Sequence, residues 1–529
     1  MPAPTRYERH LPSLVVLLGV AVLLLIPYLL TSGFHGDEFD NLNDALRMLH
    51  GQLIYRDFFE FIAPFSFWIA EATFALAGPS VLAARLVQSA GLLLSTWQLY
   101  DLARRLEVPP WLAALPGVIL LGALYRAWPG YSHHWIALPL ALGALQAAMR
   151  ALDGPRRWWG LSGLLAGLVT LDMQTDGPAL VAVLVGTSVL DAVLRRKDRA
   201  AALKDLGALT LGCALPWGLA TLYFATQGAL VTTLKLVWLW PLHHYKQAGG
   251  FNDVRYGSDW WGEIRPIARS PLWLGRAFHL SGTYLLAPVA AIAGLSWFAR
   301  SLIRRAWSDT SARWALVILW AIANFALVVH GRADYPRIAI YAVPSVLVLC
   351  AFAGRALSRR AAWKWFPTAL LVTYAGTGLF LLSRYMAADP ATWCRLASPD
   401  QRIASLPVLS YLRAHTEPSD RLVVFPNGGL FYFYGRPAAT RYTVIYPIGY
   451  RYMDPREIHE VWHEIAQSKP KYMVVGPYVF NGTNLESLMP GGAPSGYQRI
   501  DRRFEMDGHP VWLFKRMATQ GVSAVQPSS

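Results

Sequence analysis

Residues 34–60 read FHGDEFDNLNDALRMLHGQLIYRDFFE and follow the first long apolar run of the chain, Leu11 to Thr31. Asp37 and Glu38 form an adjacent pair of carboxylates at the mouth of this run. Because carboxylates are costly beside hydrocarbon, such a pair indicates a chemical role. The segment therefore predicts a membrane protein with functional acids just outside its first span.

The composition agrees with a membrane protein, since 54% of the 529 residues are hydrophobic and only 15% are charged. The apolar residues occur in runs long enough to cross a bilayer as helices, which takes about 20 residues. We expect a polytopic α-helical membrane protein with about 11–13 spans. The candidate spans are 11–31, 80–102, 110–126, 131–149, 158–172, 178–194, 206–226, 279–299, 312–330, 334–353 and 363–384.

The formal charge of +15 comes largely from Arg and Lys at the ends of these runs. If those ends are cytoplasmic, the positive-inside rule holds along the whole chain, so the charge does not indicate nucleic-acid binding. This orientation puts the amino terminus in the cytoplasm and residues 32–59 outside, as the first outer loop. It also makes 60–77 an interfacial helix rather than a span, because a span there would invert every later loop.

With this orientation, nearly all polar side chains that are not at cytoplasmic helix ends fall on the outer face.

We expect residues 1–384 to form the transmembrane catalytic module. Residues 385–520 alternate helix and strand patterns and predict a soluble outer-face α/β domain, with helices at 403–415 and 455–467 and strands at 421–425, 471–476 and 510–515. The polar tail 521–529 is predicted to be disordered.

The first loop resembles that of GT-C glycosyltransferases, in the branch of protein O-mannosyltransferases and the lipid A aminoarabinose transferase. The resemblance lies in Asp37-Glu38, in Leu49-His-Gly51, in Tyr55-Arg-Asp-Phe58 and in Pro64. It extends at lower specificity through Gly78-Pro-Ser80 and Arg85.

The resemblance implies an inverting glycosyltransferase that uses a sugar on a polyprenyl phosphate, at the outer face of the membrane. Asp37 is then the candidate general base for an acceptor hydroxyl, with Glu38 beside it. A positioned carboxylate contributes about a hundredfold or more to such a step. The lipid phosphate leaves, and cations are needed to hold its charge. The candidate phosphate ligands are Arg56, Arg337, Lys246, Arg255 and Arg332.

Each assignment has a structural alternative that the sequence leaves open. Asp37 could cap the following helix, since Asp is a favoured N-cap, and Glu38 could accept bonds from loop amides. Arg56 and Asp57 could form a salt bridge at the end of the loop rather than bind phosphate and shape the site. The further site-shaping candidates are His134, Tyr335, Asp172 and Asp176.

A cofactor is not assigned, but a divalent metal remains open because His and carboxylates are common ligands. Such a site would unite Asp37 or Glu38 with His134 or His243. Neither His133-His134 nor His243-His244 chelates by spacing alone, since adjacent side chains point in different directions.

The alternative function is that of a polytopic transporter or lipid flippase with an outer accessory domain. Against it, the sequence shows no paired halves of inverted hydropathy, and its acids gather at one surface. The expected partners are a polyprenyl-phosphate-linked sugar, a lipid, glycan or protein acceptor, and membrane lipids. The Ala- and Arg-rich composition suggests a bacterial inner membrane with the C-terminal domain in the periplasm or outside the cell.

Overall fold

Helices build the first three quarters of the chain in this computed structural model. The structure describes residues 11–31, 36–196, 198–245, 253–258, 260–267, 272–304, 307–358, 365–388, 398–425, 428–444, 455–476, 496–506 and 509–517. Lys246 and the tail 521–529, for which the sequence made predictions, lie outside these residues.

Seventeen helices precede the C-terminal region in the described residues, several of them interrupted by short π or 3₁₀ turns. They are α1 Leu11–Leu30, α2 Gly36–Leu49, α3 Phe65–Ala77, α4 Val81–Arg105, α5 Pro110–Ala113, α6 Leu115–Ile119, α7 His133–Asp153, α8 Arg157–Asp172, α9 Asp176–Leu194, α10 Arg199–Thr226, α11 Leu230–Leu234, α12 Trp260–Ile267, α13 Trp273–Ile303, α14 Asp309–His330, α15 Tyr335–Tyr341, α16 Val343–Leu357 and α17 Trp365–Ala388. The π turns are Leu120–Leu124, Lys235–Leu239 and Pro241–Tyr245, and the 3₁₀ turn is Tyr125–Ala127.

In the described residues, every one of the predicted spans falls on helical segments. Within the described residues, 8 helices are long and apolar enough to cross a membrane, or 9 if α15 and α16, which are bent by 50° relative to each other, form one span. The count is below the predicted 11–13 because α4 carries Arg85, Gln88 and Gln98 inside its apolar run and α8 has only 16 residues. The predicted fold class of a polytopic helical membrane protein is confirmed.

The segment predicted as an interfacial helix over 60–77 is helical only from Phe65. Pro64 precedes its first turn, and Gly78, with φ of 80°, ends it. At 13 residues α3 is too short to cross the hydrocarbon core, which takes about 20. Its buried residues, among them Phe67 and Phe74, pack against the protein, whereas Leu76 is 90% exposed.

The C-terminal region is a small mixed sheet with helices. Its helices are α18 Pro399–Ala404, α19 Pro407–His415, α20 Gly429–Tyr434 and α21 Pro455–Ser468, and its strands are β1 Leu422–Phe425, β2 Tyr472–Val475, β3 Tyr497–Arg499, β4 Phe504–Met506 and β5 His509–Arg516. The strand order is β1-β2-β5-β3, with β4 also paired to β5. Among the described strand pairs, only β1 and β2 are parallel, with Leu422 opposite Tyr472, and Val474 lies opposite Leu513 in the antiparallel pair of β2 and β5. The three predicted strands are present as β1, β2 and β5. The predicted helix 403–415 is divided at Pro407. The elements α20, β3 and β4 were not predicted.

The C-terminal region shares its hydrophobic core with the first loop. Phe39 and Leu42 of α2 pack in one cluster with Val424 and Leu513 of the sheet. The Asp400 carboxylate accepts hydrogen bonds from the Val81 backbone amide at 2.8 Å and from the Leu82 amide at 3.2 Å, so it caps α4 from the C-terminal region. The helix α2 is therefore held between the helical bundle and the sheet.

Candidate active site

The first turn of α2 aims its two carboxylates in different directions. Successive residues of a helix point about 100° apart, so Asp37 and Glu38 meet different surroundings. Both lie at the helix N-terminus, where the helix dipole favours negative charge. The roles of Asp37 and Glu38 are therefore derived separately from the contacts of each.

Glu38 is fully buried and bound to Arg85 of α4. The Arg85 Nε donates to one carboxylate oxygen at 2.7 Å and an Nη donates to the other at 2.6 Å. The Tyr131 amide donates to the first oxygen at 2.8 Å. Arg85 also donates to the carbonyl groups of Tyr28 and Thr31, at the end of the first span. Glu38 thus fastens α2, α4 and the turn before α7 together, with both of its oxygens already occupied.

Asp37 faces the turn between α14 and α15. Burial raises the pKa of Asp37, whereas the charges of Arg337 and Arg332 lower it and Asp334 raises it further. In the described part of the chain no donor binds the Asp37 carboxylate. This half-buried acid beside two guanidinium groups is therefore available to a substrate.

The cations near Asp37 form a compact group around Asp334. An Nη of Arg332 lies 2.6 Å and an Nη of Arg337 lies 3.0 Å from the same Asp334 oxygen. Asp334 also caps α15 by accepting from the Arg337 amide at 3.3 Å. The Arg337 guanidinium lies over the Trp128 ring, 5.4 Å from its centroid, and donates to the Tyr245 hydroxyl at 3.2 Å. The structure thus brings together Arg332, Arg337 and Asp37 as predicted site residues.

Arg56 is placed elsewhere. It is 47% exposed and binds Asp57 through two hydrogen bonds of 2.8 and 2.9 Å. Asp57 also accepts from the Leu53 amide at 2.7 Å, and Arg56 donates to the Gln227 carbonyl, after α10, at 3.4 Å. Tyr55, in the left-handed region with φ of 72°, turns the chain at this point. The pair is the salt bridge that the sequence analysis left open as an alternative.

Two further acids hold helix ends in place. Asp172, at the end of α8, is buried and accepts from the Ser66 amide at the start of α3 at 2.9 Å. Asp176, at the start of α9, accepts from the Tyr341 hydroxyl at 2.7 Å. Both therefore hold neighbouring elements together, and their role in shaping the site stays a prediction.

The remaining predicted residues are dispersed. His134 is buried at the start of α7, with its ring 6.3 Å from that of Trp128, and Tyr335 packs in an apolar cluster at the start of α15. Arg255 is exposed in a segment that reaches the site through its backbone, where Val254 accepts from the Ala333 amide at 2.9 Å.

The residues considered for a metal do not converge. His243 is exposed, and both Glu38 oxygens are bound to Arg85. Among the residues that the structure describes, no three His, Cys, Asp or Glu side chains are close enough to hold a metal ion. Asp37, Glu38, His134 and His243 thus do not form a ligand set in this structure.

Asn41 was missed by the sequence analysis. It lies one helical turn after Asp37, on the same face of α2, and is 2% exposed. Its amide nitrogen is buried without an acceptor in the described chain. The spacing of four residues from Asp37 was the signal that could have identified it.

A pair of carboxyl groups, also missed, lies at the other end of this face. Asp44 and Glu60 lie beside each other, and Asp44 accepts from the Thr443 hydroxyl at 2.7 Å. Asn43 donates to Thr443 at 3.1 Å. Burial raises the pKa of Asp44 to about 6, although Arg47 opposes it, and burial raises the pKa of Glu60 well above its ordinary value. Asp44 therefore joins the first loop to the C-terminal region through its hydrogen bond with Thr443, and the raised pKa values favour protonation of the two neighbouring carboxyl groups.

Comparisons with known proteins support this architecture. Residues 62–219 match the family model described as dolichyl-phosphate-mannose-protein mannosyltransferase. ArnT from Cupriavidus metallidurans bound to undecaprenyl phosphate superposes with a TM-score of 0.56 at 13% identity, over 96% of this chain and 98% of that one. Its apo state also gives 0.56, at 14% identity, over 94% and 97% of the two chains.

The mycobacterial arabinofuranosyltransferase AftD aligns over 95% of this chain and 41% of its own, with a TM-score of 0.48 and 13% identity. No curated protein matches the sequence significantly. The resemblance to GT-C proteins that the first loop predicted is confirmed by the family model and by the fold.

Proposed function

Because the chain has the GT-C glycosyltransferase fold, we propose that it is an inverting membrane glycosyltransferase that moves a sugar from a polyprenyl-phosphate donor to an acceptor hydroxyl. The observation that carries the proposal is the setting of Asp37, a half-buried carboxylate with no hydrogen-bond donor among the described residues and two arginines nearby. ArnT, which has the same fold, was crystallised with undecaprenyl phosphate.

Asp37 acts as the general base in this proposal. A hydroxyl group is a poor nucleophile at neutral pH, and a base is most effective when its pKa approaches the working pH. The raised pKa of Asp37 moves in that direction. Glu38 serves as a positioning residue that holds the helix carrying Asp37, since Arg85 occupies both of its oxygens.

Arg337 and Arg332 hold the charge of the leaving phosphate. Their planar guanidinium groups suit bidentate contact with phosphate, and both are already oriented by Asp334. Arg56 is assigned to the structure of the loop instead, because its guanidinium is exposed and engaged by Asp57.

Asn41 positions a substrate hydroxyl beside Asp37. A buried donor without an acceptor costs about 1–3 kcal/mol, so a substrate oxygen that accepts this hydrogen bond recovers that free energy. The site then offers one base, one neutral donor and two cations along a single side of α2.

The reaction is assigned to the outer face of a bacterial inner membrane, with the amino terminus in the cytoplasm and the C-terminal region in the periplasm. The support is the positive-inside pattern of the sequence. In a background without the native cysteines, Arg255→Cys should react with an impermeant thiol reagent added to intact cells, and Arg196→Cys should not. Labelling at position 196 from outside would reverse the orientation.

The test of the function is turnover of purified protein with undecaprenyl-phosphate-linked mannose, glucose and aminoarabinose, scored by release of undecaprenyl phosphate in the presence of candidate acceptors. Asp37→Asn keeps the shape of the side chain and removes the base, so we expect a loss of about a hundredfold or more in kcat with little change in donor KM. Retention of more than about a tenth of the activity by this variant would remove Asp37 from the chemistry. Movement of the donor across the membrane without release of lipid phosphate would favour the flippase alternative.

A further inference from the structure

A second group of polar side chains lies inside the helical bundle. It consists of Arg126 in the 3₁₀ turn Tyr125–Ala127, His279 and Thr283 of α13, and Tyr374 of α17. None of these residues has a role in the proposed transfer. Ionisable residues within a membrane bundle are costly and usually functional, so the group requires an explanation.

The His279 imidazole is held in a fixed position by its neighbours. Thr283 donates to the His279 carbonyl at 2.8 Å, and the Tyr374 hydroxyl lies 2.7 Å from the Thr283 hydroxyl. The Tyr374 ring stacks on the imidazole, with the centroids 5.0 Å apart and the planes at 15°. The close approach of α13 and α17 depends on Gly282, where an added Cβ would lie 2.8 Å from the Tyr374 ring. The packing of Tyr374 therefore orients the His279 imidazole without hydrogen bonds to its two nitrogens.

Both ring nitrogens of His279 remain without a partner in the described chain, although the residue is only 2% exposed. A neutral imidazole always carries one N–H donor and one acceptor nitrogen. Leaving a donor unpaired in such a place costs about 1–3 kcal/mol. An oriented imidazole with free nitrogens is what a binding site requires before its ligand arrives.

Arg126 supplies the positive charge of this group of polar side chains. It lies close enough to His279 and Tyr374 to act on both electrostatically. Its Nε is buried without an acceptor, and within the described residues no carboxylate forms an ion pair with it. The Arg332 and Arg337 charges, by contrast, are balanced by Asp334 and Asp37. Arg126 is thus a half-buried cation that still needs an anion.

We propose that Arg126 and His279 form a binding site for the phosphate group of a lipid, with Tyr374 as the residue that orients the imidazole. A guanidinium group and an imidazole N–H are both strong donors to phosphate oxygens. A site inside a membrane bundle is reached by a ligand that enters from the bilayer, which makes a lipid phosphate the fitting class of anion. The phosphate belongs either to a polyprenyl phosphate or to an anionic phospholipid. This site goes beyond the proposed transfer, because it requires no reaction.

The test is equilibrium binding by native mass spectrometry of the full-length protein in detergent. The probes are undecaprenyl phosphate, dioleoylphosphatidylglycerol and, as the phosphate-free control, undecaprenol. Arg126→Gln removes the cation. His279→Phe keeps a ring that stacks on Tyr374 and removes both nitrogens. Arg276→Gln is the matched control, since Arg276 lies on the same helix one turn before His279 but is exposed.

We expect Arg126→Gln and His279→Phe to weaken binding of a phosphate lipid about tenfold or more, because each removes a charged or preoriented donor. The Arg276→Gln variant should bind phosphate lipids like the wild type. Binding of undecaprenol should be the same for the wild type and all three variants. An effect on undecaprenyl phosphate alone identifies a polyprenyl site, and an effect on phosphatidylglycerol alone identifies a phospholipid site.

Equal binding of both phosphate lipids by Arg126→Gln and Arg276→Gln would overturn the proposal. The thermal midpoint of the lipid-free protein is the check on folding, and His279→Phe should not lower it, since the change removes buried nitrogens that lack partners. Because binding is measured without turnover, a failure of the proposed glycosyl transfer would leave this result intact.

Discussion

Arg85 binds both carboxylate oxygens of Glu38, at 2.7 and 2.6 Å, and each of the two side chains is only 1% exposed. This buried pair joins the second turn of α4 to the first turn of α2. Because Glu38 adjoins Asp37, the candidate base is oriented by an ion pair whose two members lie 47 residues apart in sequence.

Breaking this pair from one side should destabilise the protein strongly. Glu38→Gln leaves the Arg85 charge buried without a counter-charge, at a cost of about 3–5 kcal/mol, and Arg85→Met should cost a similar amount. The double variant should cost less than the sum of the two single changes. The thermal midpoint of purified protein in detergent measures all three. If Glu38→Gln instead keeps its midpoint and loses turnover, Glu38 acts in the chemistry, as the sequence first suggested.

Gly130 should be intolerant of even a methyl group. Its φ of 111° is strained for other residues, and an added Cβ would lie 3.0 Å from Oε2 of Glu38. Gly130→Ala should therefore lower the free energy of unfolding by more than about 1 kcal/mol. The matched control is Gly51→Ala, where φ is 84° and no atom lies within 4 Å of the new Cβ. Equal losses for the two variants would show that contact with Glu38 adds nothing to the backbone strain.

The Asp44–Glu60 pair predicts a pH dependence of stability. Both pKa values are raised in the folded protein, to about 6 for Asp44, so the folded state binds more protons than the unfolded state. The stabilisation is complete below the unfolded pKa values, about 4, and is lost as the pH rises through 6. We expect the thermal midpoint to fall between pH 5 and 8, and to fall less in Asp44→Asn.

Asp57→Asn is the control for this slope, because the Arg56 guanidinium holds the pKa of Asp57 below its ordinary value. Its titration is complete below pH 5, so this variant should keep the slope of the wild type. A wild-type slope in Asp44→Asn as well would show that the pair does not titrate in this range.

Arg56 and Arg337 should differ in their effect on the donor. Arg56→Gln breaks a solvent-screened salt bridge away from Asp37, so donor KM should change by less than about fivefold. Arg337→Gln removes a buried cation of the site, and we expect donor use, as kcat/KM, to fall by more than about thirtyfold. Steady-state kinetics with the same donor and acceptor compares the two. A larger loss in the Arg56 variant would return the phosphate role to the first loop.

The fold class could be predicted from local sequence, and so could the position of Asp37 just beyond the first span, whereas most partners of the site residues could not. The apolar run 11–31 followed by Asp37 is a local pattern, and it led to the correct fold. The nearness of Arg337 to Asp37 depends on the tertiary arrangement of residues 300 positions apart, which no sequence spacing reveals. The assignment of Arg56 relied on its place in a motif, but the positive φ of Tyr55 and the bond to Asp57 direct its side chain to the surface.

The boundaries of helices were predicted less well, for local reasons. Pro407 divides the predicted helix 403–415, because proline lacks the N–H needed inside a helix. The short strands β3 and β4 contain too few residues to show an alternating pattern.

The capping of α4 by Asp400 and the bond from Thr443 to Asp44 constrain how such proteins diversify. A recombination event that exchanges the last 140 or so residues between relatives, about one ordinary domain, would separate these partners unless positions 44 and 80–82 were exchanged with them. Under the proposed function, an acceptor preference set by the C-terminal region would be inherited together with the first loop. Chimaeras designed to change specificity should carry both segments as one unit.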